Sequence, residues 1–319
     1  MAISHIRTRR RVAAALSAAA LMATLTTALT GAAREPASPA QPSPALPVQA
    51  AFAPSGPYAT ATGTATDGTA VYDLYRPANY AALGFQSPIV TWGNGTNGSP
   101  AQVSVLLRHL ASYGFTVIAS ALPNTGSGRE IDAAAHYLVT QDGVAASVFH
   151  GHLNVNEVAA VGTSQGATGA VRAATSDPAL IKTVMTFSLP SAVWAAPNPD
   201  CPTAADCTAH PDALTRPAFF VSTHGLFDSI IASPATERAY FLSAPVHAAL
   251  GIITNSDGKA ADHASIEDPA AGGNPGAFLG YATAWLEYQL RGNAAAAGAF
   301  TGTHPELLVN PNWPGSAVK

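Results

Sequence analysis

The chain has 319 residues and a formal net charge of −4, with 15 basic and 19 acidic side chains. Its arginines and three lysines are scattered rather than massed on one stretch, which excludes a nucleic-acid-binding stripe. Beyond the first thirty or so residues no segment is long and apolar enough to span a bilayer, so no stable membrane insertion is expected.

Residues 1–33 begin with Arg7, Arg9, Arg10 and Arg11, run apolar from Val12 to about Leu29, and end in small residues at Ala33. This is the pattern of a secretory signal peptide. "TRRRVA" also resembles a twin-arginine export signal. The apolar run is rich in Ala and Thr and marginal in length for a membrane anchor. Its loss would take the net charge from −4 to −8, because the segment holds four arginines and no acid. Residues 34–55 are dominated by Pro, Ala and Ser without an apolar period, and read as a disordered leader. The folded domain is expected over 56–319, a length that suits one α/β domain with a large core, secreted and monomeric.

Along that domain, "YATATGTATDGTAVYDLYRP" alternates around an Asp-Gly turn and predicts an antiparallel hairpin. "SPIVTW", "TVIASALP", "VAAVG", "IKTVMTFSLP", "PAFFVSTHG" and "HAALGIITNSDG" read as buried strands. Between them "AQVSVLLRHLASYGF", "REIDAAAHYLVTQ" and the small-residue stretch through about Thr175 have helical spacing, and "GAFLGYATAWLEYQLRG" reads as a long closing helix. Apolar strands that alternate with helices imply a mostly parallel sheet covered on both faces, with functional groups at the carboxyl ends of its strands. The only cysteines, Cys201 and Cys207, are expected to form a disulfide in an exported chain, as a local clip on a surface loop. The segment that carries them, between Pro190 and Pro217, is Pro-rich and too short for a cap domain.

"EVAAVGTSQGATGAVRAA" places Ser164 in a G-x-S-x-G turn between a strand and a helix. With 27 glycines such a motif arises by chance in about one chain in ten of this length, so its context decides. Strand, sharp turn and helix are the setting of a nucleophile elbow, where flanking side chains would collide with neighbouring backbone. A nucleophilic serine needs a base, and the base an orienting acid, here in the chain order Ser, acid, His. Asp228 follows the next-but-one strand and His263 follows the last. His224 reads as a structural neighbour at the wrong strand end, and His109 and His136 as helix residues. Asp257, Asp262, Glu267 and Asp268 crowd His263 and compete with Asp228 for the orienting role.

The Gly-rich loop "TWGNGTNGSP" after an early strand can supply oxyanion donors from Asn94, Gly95 and Thr96, beside the N–H of Gln165. Its letters also fit a dinucleotide fingerprint, but the next strand, "VIASAL", carries no acid for a ribose. No metal or organic cofactor is implied.

These segments, in this order, resemble the secreted α/β-hydrolases of the bacterial cutinase, triacylglycerol lipase and poly(ethylene terephthalate) hydrolase group, with dienelactone-hydrolase-like relatives. "HLASYGFTVIA" is similar to that group's "RLASHGFVVIT", and "FDSIIASP" to its "NDSIAP". The resemblance implies an α/β-hydrolase domain without a large cap, a serine esterase acting on ester or polyester substrates, and Trp194 in "SLPSAVW" as a substrate-stacking wall. The chain departs from the group at Thr163 and Gln165, where its relatives carry His or Trp and Met, and at "GNGT", where they carry P-G-Y-T. The same scaffold also serves acyltransferases, peptidases and non-catalytic binding proteins.

Overall fold

Runs of apolar residues without alternation form the centre of the sheet. In the computed structural model, which describes residues 45–195, 201 and 203–319, the strands are β1 (Thr60–Thr66), β2 (Val71–Pro77), β3 (Ser87–Gly93), β4 (Thr116–Ser120), β5 (Leu153–Thr163), β6 (Ile181–Phe187), β7 (Ala218–Thr223) and β8 (Ala248–Ile253). A two-residue hairpin of β9 (Asn255–Ser256) and β10 (Lys259–Ala260) follows, and β11 (Ala317–Val318) closes the far edge. The nine-stranded sheet has the order β1-β2-β4-β3-β5-β6-β7-β8-β11. The block from β4 to β8 is parallel, while β1, β2 and β11 pair antiparallel at the edges. This mostly parallel order within one compact unit is that of an α/β-hydrolase-like fold.

β3, β4, β7 and β8 are buried along their whole length, as strands sandwiched between helices must be. Side chains alternate between two cores. Val90 and Trp92 pack with α2 (Ser104–Ser112) and α8 (Gly276–Arg291), and Ile89 packs with α3 (Arg129–Asp142), α4 (Gln165–Ser176) and α7 (Pro234–Ser243). No described helix is long and apolar enough to cross a membrane.

Residues 1–44, with the expected signal and half of the expected leader, lie outside the described residues. The rest of the expected leader is not disordered. Pro47–Phe52 forms a helix, α1, whose Val48 and Phe52 are buried in the core shared with α8. Its first-turn N–H groups, at Val48 and Gln49, donate to the two carboxylate oxygens of Glu306 at 2.6 and 2.7 Å. A carboxylate there satisfies orphan donors and the positive end of the helix dipole together. Glu306 lies more than 250 positions along the chain, so no local signal marks this helix.

Two further expectations are corrected. The helix α8 does not close the chain, because α9 (Ala294–Ala297) and β11 follow it. The Cys201–Cys207 disulfide exists, with 5.4 Å between Cα atoms, but both cysteines are fully buried rather than clipping a surface loop. The loop is held onto α4 by the Arg172 guanidinium, which donates to Ala205 O and Thr208 O. Between β6 and β7 the longest described helix is α5 (Ala204–Cys207), so no cap domain is built there among the described residues.

Replacing Glu306 with Ala strands two backbone donors and the Tyr281 hydroxyl, which donates to the same carboxylate at 3.0 Å. The expected loss is about 2–4 kcal/mol, measured by urea unfolding. A change under about 0.5 kcal/mol would show that α1 is not held this way.

Candidate active site

β5 delivers Ser164 to the carboxyl edge of the sheet, and α4 starts at the next residue. The turn between them has no room for side chains. A Cβ on Gly162 would run into Gly166 O, and one on Gly166 into Gly93 O at the end of β3. Ser164 itself sits at φ 52°, ψ −126°. A non-glycine residue held there costs about 1–3 kcal/mol of backbone strain. The turn is locked by Ser164 N donating to Phe187 O at 2.8 Å, while Ser164 O accepts from Ala167 N at 2.9 Å. The hydroxyl side chain therefore lines a cleft of about 260 Å³ that is also lined by His263, Thr163 and Phe227.

His263 opens a short 3-10 turn after the β9–β10 hairpin. Its Nδ1 lies 2.6 Å from Asp228 Oδ1, so the ring proton sits on Nδ1 and Nε2 is the basic nitrogen. Asp228 lies on α6 (Leu226–Ile231), just past β7, and is completely buried. Its other oxygen, Oδ2, accepts from Ser188 Oγ at 2.8 Å, Thr223 Oγ1 at 2.7 Å and Thr223 N at 3.1 Å. A buried carboxylate needs such donors to remain charged. These hydroxyls were not singled out in the sequence; the signal was the Ser/Thr content of the ends of β6 and β7.

The four rival acids have separate positions. Asp257 accepts from Gly276 N at 3.0 Å, and Asp268 accepts from Ser104 Oγ and Val105 N at the start of α2. Asp262 binds the two arms of the site together: it accepts from His263 N at 2.8 Å, Phe227 N at 3.0 Å and Asp228 N at 3.1 Å. Burial works against its charge, but those backbone donors outweigh it and hold the carboxyl below its ordinary range. Gly225 has to be glycine here, because a Cβ would strike the Asp262 carboxylate. Glu267 faces the cleft. His224 follows β7 directly, at the same strand end as Asp228, but its side chain is exposed and Asp228 takes His263 instead.

Glu237 of α7 is a buried acid outside the predicted set. It accepts from Leu189 N at 2.6 Å, next to Ser188. Burial drives its carboxyl well above the ordinary range, Leu189 N–H opposes this, and the charge of Asp228 adds to it.

In the Gly-rich loop, a Cβ on Gly95 would stand 3.3 Å from Ser164 Cβ, so this backbone is in contact with the serine. Asn94 and Thr96 also line the cleft. The Asn94 side chain is committed elsewhere, donating to Ser120 O and Leu122 O and accepting from Trp92 Nε1. Gln165 is the first residue of α4, at the positive end of its dipole. Trp194 is half-exposed and donates to Ile230 O at 3.0 Å, which fixes it beside α6 rather than in the cleft. One group, the half-buried Asp132 and Asp177 with the exposed His136, brings three metal-ligand atoms within 4.8 Å of one another, and it shares no residue with the cleft.

The chain matches no protein-family model, and no curated protein matches it.

Two variants check this geometry. Asp262→Ala should lose about 1–3 kcal/mol in urea unfolding and broaden the downfield proton of the His263–Asp228 pair in NMR spectra. An unchanged midpoint and an unchanged signal would remove Asp262 from this role. For Glu237, the folded state keeps a proton that the unfolded state releases near pH ~4.3, so wild-type stability falls as pH rises above that value. Glu237→Gln has no such slope, and its unfolding temperature relative to wild type should climb from about pH 5 to pH 8. A difference independent of pH would show that Glu237 holds no shifted proton.

Proposed function

We propose that the protein is a secreted serine esterase that hydrolyses carboxylic esters through an acyl-enzyme. The observation that carries this reading is that one cleft is lined by both a strained Ser164 and His263, whose Nδ1 is fixed by the buried Asp228. Ser164 Oγ attacks the ester carbonyl as His263 Nε2 takes its proton. The oxyanion faces the N–H of Gln165 at the start of α4, with backbone donors from the Gly95–Thr96 loop as the second arm. His263 then protonates the leaving alcohol, and water repeats the sequence to free the acid. Asp228 keeps the imidazole in the reactive tautomer and stabilises its cation.

The surroundings support a bulky or polymeric ester of the cutinase and polyester-hydrolase kind. Trp194 and Val193 on one side, and Leu226, Phe227 and Ile230 on α6, are exposed apolar side chains. The bond from Trp194 to Ile230 O joins the two groups. Exposed apolar surface of this kind marks binding surfaces. The aromatic clamp of the polyester hydrolases has no counterpart at Gly95–Thr96.

Incubation with an organophosphonate followed by peptide mass spectrometry should find one adduct, on Ser164. Ser164→Ala should lower turnover of p-nitrophenyl esters by about four to six orders of magnitude. A folded wild-type protein that acquires no adduct and cleaves no ester refutes the proposal. A chain-length series and a polyester film test the substrate: turnover limited to acetyl and butyryl esters, with nothing released from film, rules out the polymer.

A further inference from the structure

Of the acids clustered around His263, Asp257, Asp262 and Asp268 are tied to backbone or hydroxyl donors. Glu267 is the exception. It is half-buried, its backbone N–H closes the turn onto Ala264 O, and its side chain has no hydrogen-bond or ion-pair partner among the described residues. It lines the same cleft as Ser164 and His263. Among the described residues no Lys or Arg lines that cleft, and Glu267 is the one carboxylate that does. The Gly-rich loop contributes only neutral residues, β5 and α4 contribute Thr163 and Ser164, and α6 contributes Phe227 and Ile231. Asp228 lies buried behind His263, and Asp268 is spent on the start of α2. The Phe227 ring, half-exposed, stands edge-on to His263 with centroids 5.0 Å apart. A carboxylate and an aromatic face on one small cleft are the recognition elements for an ammonium group. The chain's net charge of −4 has the same sign.

Resting on the serine-esterase reading, we infer that Glu267 is a specificity-determining residue that makes the cleft select esters carrying a cationic ammonium group over neutral esters of the same shape. The carboxylate draws the cation in, Phe227 covers its other side, and the carbonyl is left at Ser164. A neutral ester of equal size leaves the carboxylate without a partner. Burial raises the Glu267 carboxyl, His263 pulls it back and Asp268 adds to the rise. Selectivity is therefore greatest when Glu267 is ionised and declines in acid.

The test compares acetylcholine with 3,3-dimethylbutyl acetate, which has carbon in place of the quaternary nitrogen. Wild type should favour the choline ester by about tenfold in kcat/KM at pH 8 and low salt, the sum of one exposed ion pair and one cation–π contact. Glu267→Gln should lower the ratio to the roughly two- to threefold that the cation–π contact leaves. If that variant fails to fold, the wild-type ratio measured against pH decides. The choline charge is fixed and both esters need the same basic His263, so the ratio should fall as Glu267 is protonated. A wild-type ratio near unity, a preference undiminished in Glu267→Gln, or a ratio independent of pH overturns the inference. Phosphonate labelling of Ser164 is run in parallel. An adduct with no cation preference overturns the role of Glu267 alone, whereas no adduct and no hydrolysis of either ester overturns the esterase reading beneath it.

Discussion

The carboxyl end of the sheet is organised around one charge that water cannot reach. Asp228 is fully buried, and an ionised carboxylate in that position is tolerated only if its lone pairs are met by donors. The ends of β6 and β7 meet that need with Ser188 and Thr223, and His263 takes the remaining oxygen. Ser188 adopts φ 52° in supplying its hydroxyl. Its neighbour Leu189 is held by Glu237, and Pro190 O accepts from the Tyr240 hydroxyl, so α7 fixes the segment that carries the donor. From the other side Asp262 joins the first turn of α6 to the His263 turn. Strands, two helices and a loop thus converge on one carboxyl group, and the direction of the imidazole follows from them.

Ser164 is positioned by the opposite means, an absence of atoms. Gly93, Gly162 and Gly166 let β3, β5 and α4 approach until backbone meets backbone. The same packing brings the Gly95 loop against Ser164, so the bend that strains this serine also sets the backbone beside it. The polar clamp fixes the base and the bare backbone fixes the serine. Neither would serve alone, because a serine with an unoriented base is an ordinary hydroxyl.

What the sequence made legible follows from how local each cause was. Buried parallel strands announce themselves as unbroken apolar runs, and all eight expected strands are present. The Gly-x-Ser-x-Gly turn and the order Ser164, Asp228, His263 are likewise carried by residue types at fixed places on strands. The α1 helix was hidden because its stabilising partner, Glu306, is remote and its own six residues look like linker. The burial of the disulfide is not legible, because two cysteines six positions apart say nothing about what lies over them. The acids after β8 had identical local credentials. Only the loop's path, which points Asp262 at three N–H groups and Glu267 at the cleft, separates them.

That path bears on Thr163 and Gln165, the two positions where the turn departs from the polyester hydrolases that the sequence resembles. Gln165 is almost fully buried, and a Cβ on Gly126 would strike both its side chain and Cys207 Sγ. The residue after the nucleophile therefore packs beneath the loop that the disulfide closes, on the side of α4 that Arg172 ties to that loop. Its side chain answers to the disulfide loop, while its backbone N–H answers to the cleft. Thr163 is the converse: it lines the cleft with a small polar side chain. In the proposed reaction substrate choice passes from the turn to its surroundings, to Phe227 and Glu267 on the cleft and Trp194 beside α6. A change at the rim can alter what binds without disturbing the strain at Ser164 or the donors around Asp228, because no bond joins Glu267 to either.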